Sequence, residues 1–125
     1  MKEFKESYSA KIVENSVTLE DGLRPALAIS IPDITEFDHS VFDLANAADD
    51  ELKTLAPVNG AKFLVIEYDQ NITIKLNSDA NTAITLNVYG STPAGKFFLM
   101  SAAVTSVYFS NSSGNTAKIK MFYGY

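Results

Sequence analysis

Apolar and polar residues alternate along the second half of the chain. From Ala61 to Tyr125, short apolar runs are separated by Asn/Asp/Ser/Gly clusters, giving about one strand every ten residues, the rhythm of an antiparallel sandwich or barrel. Ala61–Tyr68 sets Phe63, Val65 and Glu67 on one face and Leu64, Ile66 and Tyr68 on the other. Apolar on both faces, it predicts a central strand. Ile72, Ile74 and Leu76 alternate with Thr73 and Lys75, and Ile84, Leu86 and Val88 with Thr85 and Asn87. Phe97–Met100 and the alternating run Ala103–Phe109 follow. Ala117, Ile119, Met121 and Tyr123 end the series, with Lys118 and Lys120 on the opposite face.

The first half is less regular. Residues 1–7 read as a polar, flexible arm with Phe4 its single large apolar residue. Tyr8–Glu14 predicts one strand, and residues 25–31 another that Pro25 opens and Pro32 closes, since proline gives up a ladder donor. In Phe37–Leu44 the apolar positions change parity between Val41 and Phe42, which suits a bulge or a bend between sheets. Ala45–Leu55 is either a short helix capped by Asn46 or an acidic loop. The expected architecture is therefore all-β: an antiparallel β-sandwich or jelly roll of about eight or nine strands, at most one short helix, an arm over residues 1–7 and a single domain over residues 8–125.

Composition narrows the chemistry. A chain of 125 residues, 46% hydrophobic and 20% charged, has enough apolar side chains for a core without metal or disulfides. It has no cysteine, which removes thiol nucleophiles and thiolate metal sites. No apolar run is long enough to cross a membrane as a helix. The start carries no apolar signal segment, so assembly in a cytoplasm is expected. Net charge is −5, but unevenly placed: residues 1–59 hold twelve acids and five bases, and residues 60–125 three acids and five lysines. A two-signed surface of this kind suits packing against copies or a partner. Five scattered lysines are a poor footprint for nucleic acid.

None of the constellations that suggest catalysis survives a geometric test. Asp38-His39-Ser40 holds the letters of a triad, but neighbouring strand residues point to opposite faces. Asn77-Ser-Asp79-Ala-Asn81 resembles the start of a calcium loop, yet its sixth position is Thr82 and its twelfth Val88 in place of the glycine and the bidentate glutamate. Glu67 is the one acid among apolar neighbours, and an ion pair to a lysine such as Lys75 accounts for it. The expectation is no enzyme, no cofactor and no metal. Phe4 in the arm, together with Tyr108, Tyr123 and Tyr125, makes the candidate interface, the tyrosines as an exposed platform for a neighbouring subunit or a sugar.

Two stretches carry a resemblance. Phe63-Leu-Val-Ile-Glu-Tyr-Asp-Gln-Asn-Ile-Thr-Ile-Lys-Leu-Asn77, and later Phe98-Leu99, Val104-Thr-Ser106, Phe109, Asn111 and Ser113-Gly-Asn-Thr-Ala117, resemble segments of small tailed-bacteriophage virion structural proteins. The resemblance spans about half the chain and lies in strands and turns. It implies a non-enzymatic virion component assembled in the host cytoplasm, a capsid decoration protein or a neck or tail part. Such a protein contacts copies of itself as a homo-oligomer, and other virion proteins, but neither nucleic acid nor membrane. The alternative from the tyrosines is a carbohydrate- or receptor-binding sandwich module.

Overall fold

The structure is a computed structural model. It describes residues 2–8, 11–14, 17–21, 27–55, 60–89 and 94–125, with side chains described over 34–55, 60–89, 94–100 and 103–125. The chain divides into two compact units, Met1–Ile34 and Thr35–Tyr125, where the sequence pattern suggests an arm and one domain. Every described element is a strand, and no helix occurs among the described residues.

In the first unit, β1 (Lys2–Tyr8) pairs antiparallel with β4 (Leu27–Ile34), and β2 (Lys11–Glu14) with β3 (Val17–Asp21). The segment expected as an arm is thus strand β1, its backbone at Phe4 opposite Ile31; the Phe4 side chain lies outside the described residues. β4 runs through Pro32 instead of stopping there. The register accommodates it: Phe4 faces Ile31 and Lys2 faces Ile34, a shift that leaves Pro32 and Asp33 in the irregular part of the ladder.

The second unit holds eight strands: β5 (Phe37–Leu44), β6 (Glu51–Thr54), β7 (Ala61–Tyr68), β8 (Ile72–Leu76), β9 (Ile84–Leu86), β10 (Gly95–Val104), β11 (Ser106–Ser110) and β12 (Ala117–Gly124). They form two four-stranded sheets, ordered β10-β7-β12-β5 and β6-β11-β8-β9. The antiparallel pairs β5–β12, β6–β11, β7–β10 and β8–β9 are nested. The unit is therefore one long two-stranded ribbon, its turn between β8 and β9, rolled so that β12 also meets β7 and β11 meets β8. This is the jelly-roll order. Six of the seven connections pass from one sheet to the other.

The inner faces share one core. Leu64, Ile66, Tyr68, Ile119, Met121 and Tyr123 from one sheet meet Ile72, Ile74, Leu86, Val107 and Phe109 from the other. Phe42 of β5 and Phe109 of β11 pack edge to face across it, ring centroids 5.3 Å apart. The alternation in β12 matches the reading from sequence: Ala117, Ile119, Met121 and Tyr123 are buried, Lys118 and Lys120 exposed.

Three local expectations change. β5 is a continuous strand in unbroken register with β12, without the bulge that the parity change suggested. Both of its faces carry rings, because Phe37, on the outer face, packs with Phe63 and Phe122. Ala45–Leu55 is not a helix: it is a turn followed by β6, which pairs with β11. The run Ala103–Phe109 is broken at Thr105, where the chain changes sheets. Asn77 Oδ1 accepts the Thr105 N–H at 2.8 Å and so removes that donor from either ladder.

Candidate functional site

Two polar assemblies stand out in the second unit. The first is a clasp between residues 45–50 and 110–115. Asn111 is 1% exposed. Its amide donates to the carbonyls of Leu44 (3.0 Å) and Asn115 (2.8 Å), and its Oδ1 accepts from the Ser113 N–H at 3.0 Å. The backbones of Ala47, Ala48 and Asn111 bond reciprocally, and Asn46 Oδ1 accepts the Gly114 N–H at 3.0 Å. These bonds hold Ala47 and Asp50 at positive φ, 67° and 47°, a conformation costly for residues with a Cβ. Both polar ends of the Asn111 amide are used, so a buried side chain stands in for missing sheet hydrogen bonds.

Beside the clasp, Lys75 donates to Asp50 Oδ2 at 2.9 Å. The Ser110 hydroxyl accepts the Asp50 N–H at 2.9 Å and faces Asp49 and Asp50 carboxylate oxygens at 3.4 Å. Asp49, Thr73, Lys75, Ser110 and Asn111 line an open cavity of about 390 Å³. A serine, a lysine and two acids invite a catalytic reading, but the electrostatics oppose it. The hydrogen bond to Asp50 raises the Lys75 pKa above its ordinary value, against burial, which lowers it. An ammonium held this way is a poor general base, and the Ser110 oxygen is engaged with the turn. The group works as a staple that ties β6 to β8 and β11.

The second assembly is an open cleft of about 540 Å³ on the same sheet as β5. It is lined by Glu67, Tyr68, Asp69, Gly95, Lys96, Lys118 and Lys120 among others. Glu67 pairs with Lys96 at 3.5 Å, not with Lys75 as the sequence suggested; both residues are exposed enough for this pair to contribute little. The Lys118 N–H donates to Asp69 Oδ1 at 2.7 Å. Tyr68 closes the floor, its hydroxyl donating to the Asn87 carbonyl at 3.2 Å. Burial first, then the neighbouring Tyr89, pushes the Tyr68 pKa up.

Of the candidate interface residues, the Phe4 side chain lies outside the described residues, and Tyr108 lies on the other sheet from Tyr123. Tyr108 is half-buried on β11, opposite Leu52 and Lys75. Tyr123 is 5% exposed and turned into the core, its hydroxyl donating to Asp38 Oδ2 at 3.1 Å. Tyr125 is half-buried and stacks on Tyr123 at 6.2 Å. His39 is exposed, and Asp38 and Ser40 lie on the opposite face of β5 from it, as strand geometry requires. The Asn77–Asn81 loop closes on itself: the Ala80 N–H donates to Ser78 Oγ and the Asn81 amide to the Leu76 carbonyl. No group of three or more histidine or acid side chains is placed to hold a metal ion among the described residues.

Asn111 and the Asp50–Lys75 pair were missed by sequence reasoning. Asn111 sits in an Asn-Ser-Ser-Gly-Asn run that looks like an ordinary turn, and its partners are 67 residues away at Leu44 and 4 at Asn115. Comparison of the chain with protein-family models, characterised proteins and solved structures gives no match.

Proposed function

We propose that the protein is a non-enzymatic structural component of a bacteriophage virion, a capsid decoration protein or a neck or tail part that works through protein–protein contacts in many copies. The observation that supports this most is the jelly-roll order of Thr35–Tyr125, an architecture that serves viral capsids among other roles. The polar groups most suited to chemistry, Ser110, Asp50 and Lys75, are spent on bracing a turn. The direct test is sedimentation of the purified protein alone and mixed with phage particles. Binding in a fixed, high copy number per particle is expected. A monomer without affinity for particles overturns the reading.

A second reading is a carbohydrate- or receptor-binding module, since lectin domains also use this fold. It draws on the open cleft between Gly95, Tyr68 and Lys118. Glycan binding that Lys118→Ala abolishes, with no binding to particles, would favour it.

A further inference from the structure

The four sheet edges of the jelly roll offer very different templates to another strand. Among the described residues, β5 and β10 end one sheet, β6 and β9 the other. β6 has four residues and β9 three, too short to guide pairing. β5 has eight but carries Asp38 and Asp43; inserted charges of this kind keep an edge from pairing. β10 is the longest strand, ten residues from Gly95 to Val104, with Lys96 its single charge and no proline. Its ladder with β7 runs in even register from Gly95 to Met100 and shifts only beyond. Phe97 and Leu99, which face the core beside Ile66 and Leu64, pack against it but stay half-exposed. Met100, on the other face, is 39% exposed.

We propose that β10 pairs antiparallel with β10 of a second copy about a twofold axis at Phe98, joining two four-stranded sheets into one of eight. This deepens the many-copy reading above and takes from it the idea that the partner is the chain itself. An axis at Phe98 pairs Lys96–Met100 with itself, wholly within the evenly registered stretch Gly95–Met100. About that centre Phe97 lies opposite the partner's Leu99 and Leu99 opposite the partner's Phe97, so the half-exposed inner side chains continue the core across the joint. Lys96 lies opposite the partner's Met100, and no charge meets its like. The same operation on β5 about Ser40 sets Asp38 against the partner's Phe42 and Asp43 against the partner's Phe37, which buries carboxylates against rings. Self-complementarity across a twofold axis is what an isologous interface demands, and cross-strand pairs are the unit that stabilises it.

The test uses the full chain. Sedimentation equilibrium should show a dimer. Met100→Lys sets an ammonium opposite the partner's Lys96 twice per dimer and should raise the dissociation constant about tenfold or more; Met100→Glu should lower it, through two opposite-charge pairs. Thermal melting of both variants verifies that the fold is kept. Because the chain lacks cysteine, Phe98→Cys gives a covalent dimer under mild oxidation, and Val41→Cys on the β5 edge does not. A monomeric wild type, a dimer indifferent to the charge at position 100, or equal cross-linking at both edges overturns the proposal. A dimer with these responses but no affinity for particles overturns the virion reading and leaves this one standing.

Discussion

The β5–β12 ladder is fastened by different chemistry at its two ends. Where Leu44 meets Ala117, the loops are held by directional bonds: the Asn111 amide to Leu44 and Asn115, Asn46 to Gly114, Ser110 and Lys75 to Asp50. Where Phe37 meets Gly124, backbone bonds join Thr35 and Glu36 to Tyr125, and the side chains of the neighbouring cluster are aromatic. Register places Phe37 and Phe63 on either side of Gly124, and with no side chain there the two rings approach to 6.0 Å. Phe122 stacks on Phe37 at 5.7 Å and 2° and lies 5.4 Å from Phe63. Ring packing depends on volume and tolerates approximate geometry. The amide clasp depends on donors and acceptors in fixed places and does not. The two ends should therefore answer differently to large and to conservative substitutions.

The largest effect is expected at the aromatic end. Phe63 is fully buried, and Phe63→Ala should cost about 3–5 kcal/mol in urea unfolding, whereas Phe63→Leu, which keeps most of the volume, should cost about 1 kcal/mol. Equal losses for the two would mean that this end is as exacting as the other. At the clasp, Asn111→Ala removes three bonds from a buried site, for about 2–3 kcal/mol. The telling variant is Asn111→Asp. It is nearly isosteric but cannot donate to Leu44 or Asn115 and brings a charge into a buried site, so at neutral pH its cost should match or exceed that of alanine. A mild Asn111→Asp would contradict the account of the clasp.

Legibility in the sequence follows the same division. Strands β8 and β12 are readable because each buries one face and period-two alternation records that directly, and β7 because a short run apolar on both faces marks a central strand. The all-β class, a sandwich or jelly roll, is readable from strand spacing. The order of strands is not, because it depends on which runs pair across distances such as the 85 residues between Asp38 and Tyr123. β5 misleads, since the rings on its outer face mimic a parity change. The absent helix at Ala45–Leu55 misleads because its acids resemble a helix start, while Asp50 in fact answers Lys75, 25 residues away. The candidate site was hidden for the same reason: a turn asparagine and a buried keystone asparagine have the same local sequence.

Two groups on the side of the clasp titrate above their ordinary values. The Lys75 pKa is raised by Asp50, and that of Tyr68, which lies opposite Ile119 towards the clasp, is raised by burial. A group whose folded pKa exceeds its unfolded value contributes stability that is full below the unfolded value and lost as pH rises through the folded one. Ordinary values for tyrosine and lysine are about 10 and 10.4. The melting temperature should therefore hold up to about pH 10 and fall above it, as the Tyr68 hydroxyl can no longer donate to Asn87 and Lys75 loses its charge. The double variant Lys75→Met, Tyr68→Phe should flatten that decline relative to wild type. An unaltered alkaline slope in the double variant would show that other groups drive it.

The smallest effect is expected midway along the ladder, at Ser40, which faces Met121 between the two ends. Its hydroxyl oxygen is buried and has no hydrogen-bond partner. It belongs neither to the amide clasp nor to the ring cluster, and desolvating it brings no bond in return. Ser40→Ala removes that unmet group and leaves a side chain only one atom smaller. The variant should be neutral or more stable by up to about 1 kcal/mol, measured as a shift of the urea midpoint at constant slope. A loss of more than about 1 kcal/mol would mean that the hydroxyl is bonded in solution, and that polar fastening extends inward from the clasp to the middle of β5.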